Sequence, residues 1–194
     1  MEHHNKPIIV LNLSATIRQN QKFLTNEARS HLANKIKQYI ESDYDPVAQH
    51  HSNGHVHGTL NFLPWHRGFL KKFDEWQRAE SLENNTPYVA LAYWVSSETI
   101  PVEVTHEGRN DEISMIPVPN ELLTAGGLLS LNFEEFTRIL ESHHDDVHIA
   151  IGGDMANPDV SPKDPIFWMF HSFYDHLYAN WQTVHAEAKV KIAT

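Results

Sequence analysis

The 194-residue chain contains no cysteine. That absence removes disulfides, thiolate metal ligands and cysteine nucleophiles together, so any metal has to be carried by histidine and carboxylates. It also suits a reducing compartment. Basic residues are scarce: 15 Lys and Arg stand against 25 Asp and Glu, a formal net charge of -10. With no basic run and no aromatics interleaved with Lys or Arg, nucleic acid and anionic membrane surfaces are excluded as partners. Long apolar runs are missing too. Nothing approaches the ~20 residues of a membrane-crossing helix. The opening MEHHNKPIIVLNL lacks the basic start and the apolar length of a secretory leader. The expectation is a cytoplasmic protein, with no internal repeat visible.

What is there reads as an ordinary globular chain, 41% hydrophobic and 21% charged, expected to form one domain over residues 1–194. Residues 8–13 (IIVLNL) predict a short strand. Asn26 looks like a helix cap, followed by an apolar stripe at Ala28, Leu32, Ile36, Tyr39 and Ile40. Residues 44–58 predict a short helix running into a loop, with a turn at Asn53-Gly54. Pro64 stands near the start of a helix over 67–81, with His66 in its first turn and Phe69, Leu70, Phe73 and Trp76 on its apolar side. The stretch 87–95 is extended, and 98–120 reads as a long loop forming a rim over a site. Gly126-Gly127 ends a short segment. Asn132 and Glu135 form a capping-box pattern, and Ser161-Pro162 opens a last long helix to about residue 188. The fold class is mainly α: a four-helix-bundle core around a central site, with long loops and little sheet.

Histidine is what the chain has in excess, 15 in all. His144 and His148 are four apart, so on a helix both rings leave one face. That face is apolar at Ile139, Leu140, Val147 and Ile151. His171 sits within IFWMFHSFYDHLYANW, where an unpartnered imidazole is costly. Three neutral imidazoles facing an apolar interior make a site for copper, zinc or iron. Upstream, His50, His51, His55 and His57 cluster before His66. A solvated His-rich loop is an alternative reading of that cluster taken alone.

Two longer patterns give these histidines a context. HxxxH followed by IGGDM and DPIFWxxHxxxD resembles the second copper-binding half of the tyrosinase, catechol oxidase and hemocyanin family. HGTLNFLPWHRGFLKKF (57–73) resembles the first half, and together the matches run from about His50 to Trp181. The resemblance implies two copper ions binding O2 as peroxide, one held by His50, His57 and His66, the other by His144, His148 and His171. For the first ligand, His51 is the alternative to His50, and His55 a more distant one. It implies o-hydroxylation of monophenols and oxidation of o-diphenols or o-aminophenols to o-quinones, with a small phenol and O2 as partners. A catechol oxidase without monophenolase activity and a hemocyanin-like dioxygen carrier are the alternatives. A zinc hydrolase using His144, His148 and His171 would leave FLPWHR unexplained and lacks HExxH.

In the family, a glutamate near the first ligand of the second half and an Asn or Asp after that ligand are thought to hold a water that takes the phenol's proton. Glu141 and Asp145 resemble that pair, with Glu135 a second candidate for the glutamate. Departures are visible. His55 stands where relatives often have a cysteine linked to the second ligand, and AYWVS (92–96) replaces PYWDW. Most relatives are longer, so the chain is expected to be the bare catalytic core. Arg67, Asp164 and Asp175 are expected to cap helices or orient rings, and Met155 to stand at the pocket wall.

Overall fold

The computed structural model describes residues 18–42, 47–54, 56–112 and 116–193. The strand expected over 8–13 and the candidate His55 lie outside them. Among the described residues there are six α-helices and no ladder of strands, only an isolated bridge between Asn20 and Tyr93. The mainly α architecture expected from the sequence is therefore observed.

Helix α1 (Asn26–Glu41) starts one residue earlier than Asn26 as a cap requires. Thr25 is extended and its hydroxyl accepts from the Ala28 N–H at 3.2 Å, so it does the capping. Leu32, Ala33, Ile36 and Tyr39 are its buried stripe. Helix α2 (Val47–Ser52) is the short one foreseen before the Asn53-Gly54 turn. Helix α3 (Phe62–Asn84) begins five residues earlier than expected and places His66 just past its first turn. Pro64 fits there because the first N–H groups of a helix have no partner in any case. Helix α4 (Ala125–Ser130) contains Gly126 and Gly127 instead of ending on them. A Cβ on Gly127 would fall 2.5 Å from the Glu121 carbonyl oxygen, so the pair marks a close approach of backbone.

Helix α5 (Phe133–Ile151) opens on the capping box as the sequence indicates, with Asn132 and Glu135 each satisfying the other's backbone N–H. Helix α6 (Pro165–Ala193) starts later than Ser161-Pro162, which form a separate 3-10 turn. Asp164 caps it by accepting from the Ile166 N–H at 3.0 Å.

The centre of the molecule is α6. Residues 164–174 are buried without a break, as expected of a helix apolar all round. Helices α1, α3 and α4 pack on it, and α3 also meets α5. Trp168 anchors the contact, stacking on Phe69 at 5.1 Å with Tyr39 and Phe73 around it. The segment 98–120 differs from expectation. Arg109 turns inward to a buried ion pair with Asp164, and the Gly108 carbonyl lies 2.9 Å from where a Cβ on Gly153 would be. None of its described residues lines the histidine cavity, so this loop clamps the α5–α6 connection instead of forming a rim.

Candidate metal centre

Five of the six donors come from helices. His51 is on α2, His66 on α3, His144 and His148 on α5, and His171 on α6, whereas His57 lies on the loop between α2 and α3. One ring nitrogen from each of His51, His57 and His66 lies within 4.8 Å of the other two, and His144, His148 and His171 make a second such group. The triads face each other: His66 stacks on His171 at 4.5 Å, and His57 lies 5.8 Å from His144.

The expectation of His50 in the first group is corrected. Consecutive residues on a helix point about 100° apart, so α2 can turn only one of the two inward. His51 is the buried one, at 3% exposed. His50 stacks on Trp65 and Phe69, and its Nε2 accepts from Lys72 Nζ at 3.0 Å. Nor does every histidine of HHDDVH face the site. His143 points away, with Nδ1 2.8 Å from the Tyr174 hydroxyl and Nε2 beside Ser96.

Partners of the outward nitrogens fix what the inward ones can do. His51 Nδ1 donates to the Pro158 carbonyl at 2.7 Å, His66 Nδ1 to the Phe62 carbonyl at 2.8 Å and His148 Nδ1 to the Met155 carbonyl at 2.6 Å. His144 Nδ1 donates to Asp145 Oδ1 at 2.9 Å. A carbonyl or carboxylate only accepts, so the proton sits on Nδ1 and each Nε2 presents a lone pair. His51 Nε2 and His66 Nε2 are 3.2 Å apart, lone pair to lone pair. His144 and His148 both aim Nε2 at His171 Nε2, each at 3.2 Å, and one ring can answer only one of them.

Burial also keeps the rings uncharged. It pushes His51 down to about 4 and His148 to about 3. His66, His144 and His171 fall well below the usual imidazole range for the same reason, and His57 is lowered as well. Neutral and, all but His57, buried, these rings fit a cation in each group, and an all-imidazole set suits copper, zinc or iron.

A cavity of about 340 Å3 opens onto this centre, lined by His51, His57, His144 and His148 with Asp145, Ile149, Met155, Ala156, Pro158 and Ser161. Met155 is thus at the wall as expected. A larger cleft of about 510 Å3 between α4, α6 and residues 93–98 has one histidine, His176, among its described lining residues. The smaller cavity is where the donors converge. Of the carboxylates, Asp145 edges the cavity. Glu141 lies a turn away and accepts from the Gly58 N–H at 2.6 Å. Glu135 is engaged in the α5 cap. Arg67 and Asp175 form an ion pair, joined by Arg18, between α3 and α6. Sequence reading missed the backbone acceptors at Phe62, Met155 and Pro158, because a carbonyl has no residue type to recognise.

The tyrosinase common central domain matches residues 28–126 and 118–184. The chain belongs to the tyrosinase family. Tyrosinase from Streptomyces antibioticus is 26% identical over 235 residues, covering 88% of this chain and 84% of its own. Tyrosinase-like protein 1 from Margaritifera margaritifera is 25% identical over 220 residues, covering 83% and 44%. Among solved structures, a functional unit of Octopus hemocyanin has a TM-score of 0.66 at 24% identity, covering 87% of this chain and 53% of that one. A latent aurone synthase (polyphenol oxidase) has a TM-score of 0.61 at 17% identity, covering 89% and 49%. This tyrosinase-family chain spans about half the length of those two structures, and its likeness to them is one of fold.

Proposed function

We propose that the protein is a dicopper oxidase of phenols, with His51, His57 and His66 holding one ion and His144, His148 and His171 the other. The observation that carries this reading is two groups of neutral imidazoles, five of the six rings buried, in which Nε2 atoms converge at 3.2 Å and their lone pairs cannot all be satisfied by the rings themselves. When bound, copper supplies dioxygen binding and the exchange of electrons with the substrate. The chain's own residues do the rest.

Ile149, Met155, Ala156 and Pro158 give the cavity apolar walls that suit an aromatic ring, and about 340 Å3 is room for one. His57 is exposed and Ile149 is 70% exposed, so a phenol can reach the centre from solvent. That access favours an oxidase over a shielded dioxygen carrier.

A monophenol must lose a proton whose free pKa is about 10 before it can bind as phenolate. Asp145 and Glu141 are the carboxylates beside the centre, and burial raises both above their usual range, which suits groups that take up a proton. We assign the pair to holding the water that accepts it. Diphenols are more acidic and chelate, so they depend on it less. Glu141→Gln is therefore expected to cut oxidation of tyrosine at least about tenfold more than oxidation of DOPA. Equal loss on both would remove Glu141 from this role.

The test of the whole reading is copper stoichiometry followed by an assay with L-DOPA or catechol. Two ions per chain and quinone colour are expected, with both activity and one ion lost in His148→Ala. A fully active His148→Ala protein would sink the assignment. Comparing His51→Ala with His50→Ala tests the first ligand: only the former should lose copper.

A further inference from the structure

His57 is the weak point of the centre as built. It alone of the six donors is exposed and sits on a loop. The hydrogen bonds of that loop are local: Gly54 N to His51 O at 3.0 Å, Thr59 N to Val56 O at 3.2 Å, and Phe62 N to Thr59 O at 3.1 Å. These fix the shape of the turn but not where it stands relative to the rest of the protein.

Among the described residues, one hydrogen bond ties residues 53–61 to a distant element. The Gly58 N–H, directly after His57, donates to Glu141 Oε1 at 2.6 Å across 83 residues of sequence. Gly58 has φ +73, a left-handed backbone that glycine adopts without strain. Glu141 is on α5, three residues before His144. One carboxylate therefore joins the loosest donor of the first group to the helix that carries two donors of the second.

We propose that Glu141 is a positioning residue: its carboxylate latches the His57 loop onto α5 and so completes the first three-imidazole group. This rests on the reading of His57 as a metal ligand. It is separate from proton acceptance by Glu141, because a latch needs only an oxygen that accepts, whereas a base needs the charge. Glu141→Gln keeps the oxygen and loses the charge; Glu141→Ala loses both.

Two measurements test it. Copper affinity is read for each ion by chelator competition on wild type, Glu141→Ala, Glu141→Gln and His57→Ala. Wild type is expected to bind two ions. Glu141→Ala should bind one as before and the other roughly 10–100-fold more weakly. Glu141→Gln should stay within a few-fold of wild type, and adding Glu141→Ala to His57→Ala should weaken binding no further. In the metal-free protein, the Gly58 amide should exchange with solvent at least about tenfold faster in Glu141→Ala but not in Glu141→Gln.

Undiminished affinity for both ions in Glu141→Ala, equal weakening of both ions, or a Glu141→Gln protein as impaired as Glu141→Ala would each overturn the latch alone. Wild-type protein that took up no copper would overturn the metal reading as well.

Discussion

At the scale of single residues, the centre is decided by what lies behind each ring. Asp145 shows this. It follows a donor directly, and its Oδ1 accepts a hydrogen bond from His144 Nδ1–H at 2.9 Å, which turns the Nε2 lone pair inward. Partners of this kind orient a ligand and raise its basicity. Asp145→Leu removes the acceptor, and the affinity of the second ion is expected to fall roughly 10–100-fold. Asp145→Asn, whose amide oxygen still accepts, should fall less. Copper titration of the two variants reads the difference, and equal affinities would show that the contact does not set the ring. The same scale explains the His50 correction. Adjacent histidines are indistinguishable by spacing; His51 is the one turned inward, held by the Pro158 carbonyl, while His50 stacks outside on Trp65 and Phe69.

At the scale of elements, a boundary written as a complete local pattern was legible, whereas single cap residues and close approaches were not. The Asn132–Glu135 box is a local pattern between neighbours in sequence, and it is present as read. Asn132→Ala should lower stability by about 1 kcal/mol in urea unfolding. Gly126-Gly127 reads as the end of a segment in the sequence, yet both lie in α4. What demands Gly127 is the Glu121 backbone 2.5 Å from any Cβ placed there, a contact the α4 sequence does not announce. Gly127→Ala should therefore destabilise by about 1–3 kcal/mol through overpacking, more than a helix-favouring alanine restores. A Gly127→Ala protein more stable than wild type would show that the preceding turn yields freely.

At the scale of the whole molecule, the buried histidines set the response to pH. Burial lowers His51, His57, His66, His143, His144, His148, His171 and His176 in the folded protein. Above about pH 6.5, the value of a free ring, folded and unfolded chains are both uncharged at these positions. Below it the unfolded chain takes up protons that the folded one refuses, so stability falls with pH. Asp145, Glu141 and Asp164 are raised and act in the opposite sense, but they are three against eight. The metal-free protein should show a nearly constant Tm from pH 7 to 8 and a steep fall from 6.5 towards 4. Copper-loaded protein should melt higher at pH 7, because binding to the folded state adds to its stability. A metal-free Tm that stayed flat down to pH 4.5 would contradict this account.

By itself the sequence determined the helical class and pointed to five of the six histidines that the structure gathers into two groups. Those follow from local matters: no cysteine to compete, a four-residue spacing on an apolar face, and a histidine inside a run that has to be buried. Tertiary structure decided what depends on residues far apart in the chain. It chose His51 over His50, turned 98–120 into a clamp through Arg109 and Asp164, and brought Glu141 to Gly58. It also put carbonyl oxygens of Phe62, Met155 and Pro158 behind three of the rings, which no residue pattern encodes. Spacing can say that a histidine faces inward, but only the packed helices decide which of its nitrogens is left with a lone pair and where that lone pair points.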